Sequence, residues 1–202
     1  MGKIIFKYGT MSSGKTTLLL QTHFNLNAAF PSQVMLINRN DRCGENICTS
    51  RTGASQIATS ISEKDIICDL VEQYETEKAA EVRYILADEV QFFTLDQIES
   101  LAWLADTRDI EIYAFGLLTS YKGELFAPSK RLLELADKVH QIKNQMRCWC
   151  GKPATHNALY INGKRTFEGE TKVVDNENMY EYVVVCRRHF FENGKPLNTG
   201  AK

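Results

Sequence analysis

Gly9-Thr10-Met11-Ser12-Ser13-Gly14-Lys15-Thr16 stands between a strand-like run, Lys3–Tyr8, and a helix-like stretch, Thr16–Phe30. The pattern G-x-x-x-x-G-K-[ST] in that context is a phosphate-binding loop. Glycines at 9 and 14 let the backbone turn its N–H groups onto phosphate oxygens, and the following helix points its positive end at the same place. Lys15 supplies a point charge for the outer phosphates and the Thr16 hydroxyl suits Mg²⁺. The stretch therefore predicts a site for ATP or a similar nucleoside triphosphate, with residues 9 to 16 around the phosphates.

Working outward, strand-like and helix-like segments alternate. Gln33–Asn38, Arg83–Ala87, Ile110–Phe115 and Lys138–Ile142 read as strands. Asp65–Glu77, Thr94–Asp106 and Ser129–Ala136 read as helices. Thr94, with Gln97 three residues on, has the form of a reciprocal helix cap. Such alternation predicts a parallel sheet covered by helices, a P-loop α/β fold of the RecA-like kind. Between Arg39 and Ser62 the periodicity fades into a long polar loop, and loops of that length usually serve function or motion.

Ile85-Leu86-Ala87-Asp88-Glu89 ends a buried strand in two acids. In phosphate-loop folds the strand beside the loop's own strand commonly ends in an acid that holds Mg²⁺, and Asp88 fits that role. Because side chains alternate along a strand, Glu89 is expected to face the other way, toward the acceptor of the γ-phosphate. There it can take a proton from an attacking hydroxyl.

Past Asn144 the pattern changes to short strands. Cys148-x-Cys150 and Cys186-x-x-His189 together form a three-thiolate, one-imidazole set, the ligand set of a closed structural Zn²⁺ site. A metal would also let so small a region fold. The expected division is 1–143 for the α/β unit, 144–193 for the zinc unit and 194–202 for a frayed tail. Cys68 suits the apolar side of a helix, whereas Cys43 and Cys48 fall in the polar loop and receive no role. His23, His140 and His156 read as structural or surface residues.

The chain has 202 residues, 44% hydrophobic and 24% charged, with a net charge of -1. That is a soluble globular composition, and it argues against the nucleic-acid backbone or an anionic membrane as main partner. Residues 1–142 carry -5 and residues 143–202 carry +4, a break that coincides with the change of pattern. No apolar run reaches membrane-spanning length, and the N-terminus has neither the form of a secretory signal nor that of a myristoylation site. A cytoplasmic protein is expected, in which six cysteines point to metal binding or burial rather than disulfides.

Together these residues resemble the type II thymidine kinases, the cytosolic, bacterial and phage or poxviral kind. The resemblance rests on the loop with Met11 inside it, on Asp88-Glu89-Val90-Gln91-Phe92-Phe93 and on Thr49-Ser50-Arg51-Thr52-Gly53. It extends through Tyr113–Leu117, Lys122–Phe126, Ala136–Lys138 and the two zinc-ligand pairs, covering nearly the whole chain.

The resemblance implies transfer of the γ-phosphoryl of ATP, with Mg²⁺, to the 5′-hydroxyl of thymidine and of deoxyuridine. It implies Glu89 as general base, Arg42 neutralising charge on the transferring phosphate, and Gln91 close to the nucleotide. Met11, Phe92, Tyr121 and Tyr182 would surround the nucleoside. A lid, the lasso, at about 162–182 would close over the base and favour transfer over hydrolysis. A homotetramer inhibited by dTTP is implied as well. The chain departs from the family pattern at Asn40-Asp41-Arg42, at Leu118 and Ser120, and at Asp175-Asn176-Glu177-Asn178.

Two other classes share some of these parts. An ATP-driven DNA-binding module with a zinc ribbon would need an extended basic, aromatic-rich face, and a nucleotide-binding switch would need no acid at Glu89.

Overall fold

The computed structural model describes residues 2–39, 46–143, 146–168 and 180–192. Its first strand, β1 (Lys3–Tyr8), runs straight into the glycine loop and then into helix α1 (Lys15–Ala29). After β2 (Val34–Asn38) come three short strands, β3 (Ile47–Thr49), β4 (Ser55–Ile57) and β5 (Thr59–Ser60). Helix α2 (Ile67–Lys78), strand β6 (Tyr84–Ala87) and helix α3 (Leu95–Arg108) follow, then β7 (Glu111–Gly116), α4 (Ala127–Leu135) and β8 (Lys138–Gln141).

Six of these strands form one parallel sheet in the order β5-β2-β6-β7-β1-β8. Ile37, Ile85, Ala87 and Ile112 face α2, α3 and α4, while Leu36, Leu86 and Phe115 face α1 with Leu19 and Leu20. Both faces are apolar, as a covered parallel sheet requires. Because the strands are parallel, the segments that follow β1, β6 and β7 all emerge at one edge, where ligands bind in open α/β sheets.

Helix α3 begins as its sequence predicts. The Thr94 hydroxyl accepts from the Gln97 N–H at 3.1 Å, and the Gln97 side chain accepts from the Thr94 N–H at 3.0 Å. Gln97 also donates to the carbonyls of Ser62 and Asp65, so the cap fixes the entry to α2. In α2 itself the buried residues are Ile67 and Val71, whereas Ile66 lies ahead of the helix and is exposed.

Two expectations about topology change. The strand bearing Asp88 is not a neighbour of β1, because β7 lies between them. The stretch expected as loop between Arg39 and Ser62 holds the antiparallel hairpin β3–β4. The motif Thr49-Ser50-Arg51-Thr52-Gly53 makes its turn. Ser50 N–H bonds to Ala54 O at 2.8 Å, and Gly53 sits at φ 90°, a left-handed conformation that glycine adopts without strain.

A second, three-stranded antiparallel sheet is built from β9 (His156–Ile161) flanked by β10 (Lys164–Thr166) and β11 (Tyr180–Val185). The short helix α5 (Arg187–Phe191) follows Cys186, and Phe190 fills a small core with Ala158, Tyr160 and Val185. Arg42, Cys43, most of the expected lid and the tail at 194–202 lie outside the described residues.

Candidate active site

The glycine loop is closed by its own backbone. Gly9 N–H reaches Gly116 O at 3.3 Å on the neighbouring strand, and Ser13 N–H returns to Thr10 O at 3.3 Å. A side chain at residue 9 would place its Cβ 2.4 Å from Ser13 Oγ and 3.1 Å from Ser13 Cβ, so glycine is favoured there. Gly14 has φ 83°, which turns the chain into α1. Lys15 is 6% exposed and folds back to donate to Thr10 O at 3.0 Å. Burial pushes its ammonium below the ordinary lysine range, against the pull of the Glu89 and Asp88 carboxylates.

Asp88 lies across the intervening β7. The Thr16 hydroxyl donates to Asp88 Oδ2 at 2.8 Å, so the two hard-oxygen groups predicted for Mg²⁺ are in contact without adjacent strands. Asp88 is 3% exposed, and its Oδ1 accepts from the Glu89 N–H at 3.0 Å. Burial first, and the Glu89 charge second, push its carboxyl up to about 7, while the Thr16 hydroxyl and Lys15 pull it down.

Strand alternation does not set the direction of Glu89, whose charge acts on both Asp88 and Lys15. Strand β6 ends at Ala87, and Glu89 takes φ 53°, a left-handed conformation uncommon for a residue with a side chain. Strain of that kind clusters at functional positions. A single turn, Val90–Phe92, follows. Gln91, 2% exposed, donates from Nε2 to Glu89 Oε2 at 2.5 Å and accepts the Leu117 N–H on Oε1 at 2.9 Å. It thus ties the turn after β6 to the segment after β7. A Cβ on Gly116 would sit 2.7 Å from both Gln91 Oε1 and Val90 Cγ2, so that strand end must also be glycine.

Three further residues join this centre. Cys48, on β3, is buried with its Sγ 3.5 Å from Asp88 Oδ2. Arg51, at the hairpin turn, donates to Ser12 Oγ at 2.7 Å and brings its charge to the loop beside Lys15. Asn157, on β9 and 4% exposed, accepts the Met11 N–H at 2.8 Å, joining the phosphate loop to the second sheet. Sequence reasoning gave Cys48 and Asn157 no role and quoted Arg51 only as part of a motif.

Among the residues expected around a nucleoside, Met11, Phe92 and Tyr182 are half-buried, whereas Tyr121 is buried. Phe92 meets Phe126 edge-on at 6.2 Å and Tyr121 meets Tyr182 edge-on at 6.4 Å.

The ligand atoms of Cys148, Cys150, Cys186 and His189 lie within 4.8 Å of one another. Tetrahedral Zn²⁺ with bonds of usual length sets S···S at ~3.8 Å and S···N at ~3.6 Å. Cys150 Sγ to Cys186 Sγ is 3.8 Å and Cys186 Sγ to His189 Nδ1 is 3.6 Å, while Cys148 Sγ to His189 Nδ1 is closer at 3.1 Å. The other ring nitrogen, Nε2, faces Glu192 Oε2 at 3.3 Å, the outer partner a metal-bound histidine usually has. Gly151 at φ 79° closes the turn between the first pair and Lys152. This group fits a structural zinc ion.

A family model described as Thymidine kinase matches residues 2–190. The chain belongs to the thymidine kinase family. A thymidine kinase of Streptomyces avermitilis is 38% identical to it over 194 residues, covering 94% of this chain and 88% of that one. One from Cutibacterium acnes is 38% identical over 193 residues with the same coverage, and one from Francisella tularensis is 36% identical over 197, covering 95% and 98%. Among the described residues, no helix is long and apolar enough to cross a membrane.

Proposed function

We propose that the chain transfers the γ-phosphoryl group of ATP to the 5′-hydroxyl of thymidine, and of deoxyuridine, at the site between the glycine loop and Glu89. Membership of the thymidine kinase family makes it an ATP-dependent nucleoside kinase. The observation that supports the finer reading is the contact of Thr16 with Asp88, next to a Glu89 carboxylate held by Gln91. On this reading Thr16 and Asp88 form the donor side, where phosphates and cation would lie, and Glu89 serves the acceptor side.

Residues 9 to 16 would cradle the phosphates, with Lys15 released from Thr10 O to the outer ones. Thr16 and Asp88 would hold Mg²⁺, which neutralises phosphate charge when bound. Glu89 would take the proton from the attacking hydroxyl, and Gln91 would keep it aimed. Arg42, outside the described residues, would stabilise the transferring group; Arg51 is a second cation close to the same loop. Met11, Phe92, Tyr121 and Tyr182 would surround the nucleoside, under a lid formed by about 162–182. Zn²⁺ would hold the two ends of the 144–193 unit together, since all four ligands lie within it. The same reading includes a cytoplasmic homotetramer inhibited by dTTP.

The test is purified protein with Mg-ATP and a panel of nucleosides, following phosphorylated product. Thymidine and deoxyuridine should be phosphorylated. If no pyrimidine deoxynucleoside is, and ATP turnover ignores added nucleoside, the proposal fails.

A further inference from the structure

Arg165, on β10, reaches out of its own sheet. Its Nη2 donates to the carbonyl of Tyr121 at 2.7 Å, and Nη1 donates to the carbonyls of Leu159 at 3.2 Å and of Thr166. The guanidinium plane lies over Phe167 at 3.9 Å and near Phe190 at 4.8 Å. Tyr121 belongs to the loop after β7, whose turn holds Gly123 at φ 84°. A Cβ there would lie 3.1 Å from the Phe190 ring, so the loop rests on the second sheet. The Tyr121 hydroxyl donates to Glu168 O at 3.0 Å, just beyond β10, and its ring meets Tyr182 of β11.

Tyr121 is therefore fastened at both ends to the strand that leads toward the expected lid. The fastening is costly. Arg165 Nε is buried with no partner among the described residues, and a buried donor left open costs stability. An apolar side chain between Phe167 and Phe190 would pack without that cost, as replacements of buried ionic groups often do. What the guanidinium supplies is the set of bonds to the Leu159, Thr166 and Tyr121 carbonyls, of which the one to Tyr121 leaves its own sheet.

We propose that Arg165 is a positioning residue for nucleoside binding, acting through Tyr121 by holding its main chain against β10. This rests on the thymidine kinase reading above. Among the described residues Arg165 bonds to neither the phosphate loop nor Glu89, so its effect is expected chiefly on the acceptor substrate.

The experiment is steady-state kinetics of Arg165→Met and Arg165→Lys in the full chain, with zinc content measured on the same samples. For Arg165→Met the thymidine KM should rise about tenfold or more, the worth of one charge-assisted hydrogen bond, while kcat and the ATP KM stay within about twofold. Arg165→Lys keeps a cation and one donor and should fall between. An unchanged thymidine KM, or thymidine and ATP KM values rising together with zinc loss, overturns the positioning role. If Arg165→Met does not fold, Arg165→Lys decides by the same split. A wild-type protein that phosphorylates no nucleoside overturns the kinase reading itself, which is distinguishable from wild-type turnover with an unmoved variant KM.

Discussion

Replacing Gln91 with Leu separates two roles that one side chain performs. Leucine is one atom shorter but apolar and of similar volume, which suits a position 2% exposed, so packing is largely preserved. What is lost is the acceptor for the Leu117 N–H and the donor to Glu89. Leaving that N–H without a partner costs ~1–3 kcal/mol. For a chain of this size that is a fall in Tm of roughly 2–10 °C. Losing the donor to a carboxylate removes a charge-assisted bond worth ~1.5–3 kcal/mol, so if Gln91 aims Glu89, kcat should fall about 10- to 150-fold. The assay is kcat at saturating ATP and thymidine, beside thermal unfolding of the same preparation. Gln91→Glu keeps an acceptor for Leu117 but sets a second buried carboxylate against Glu89, so stability and kcat should both stay low. A Gln91→Leu protein that loses stability yet keeps kcat within about threefold would refute the reasoning and leave Gln91 a strut.

Asp88 sets a pH dependence. With its carboxyl pushed up to about 7, protonation competes with the cation. Mg-nucleotide affinity, measured by calorimetry, should weaken about tenfold per pH unit below 7, and the slope should vanish in Asp88→Asn. The folded pKa lies above the ordinary aspartate value of 3.8, so the metal-free fold binds more protons than the unfolded chain between about 4 and 7. Its stability should therefore decline as pH rises through that window, and a flat difference between wild type and Asp88→Asn would contradict this. For the metal, Cys150→Ser should lower zinc from about one per chain to well below about half and make the chain easier to unfold with chelator, because ligand loss is folding loss at such sites. Full stability without zinc would remove that role.

The legible part of the fold was the part written in local pattern. The glycine loop between β1 and α1, the capping box at Thr94 and Gln97, and the apolar runs of β2, β6 and β7 lie within a few residues of what periodicity predicts. The stretch 47–60 was not legible, since three strands of two or three residues carry no periodicity. The missed residues share one cause. Cys48 meets Asp88, Arg51 meets Ser12 and Asn157 meets Met11, all contacts between segments distant in sequence. Nothing local in a cysteine within a polar loop or an asparagine on a strand signals such a partner. Glu89 stands past the end of β6 on a left-handed turn, which the residue type does not announce, so alternation along the strand does not give its direction. Even the separation of β6 from β1 left the Thr16–Asp88 pairing intact, because α1 carries Thr16 back over the strand ends.

The central claim is that Glu89 is the acceptor-side base of a phosphoryl transfer whose donor side is the glycine loop with Asp88. The measurement is single-turnover transfer from labelled ATP to thymidine in wild type and Glu89→Gln, with nucleotide affinity determined on both. The account predicts transfer slowed about 10²–10⁴-fold, the usual worth of a general base, with ATP bound as tightly as in wild type. Near-wild-type transfer in Glu89→Gln would contradict it.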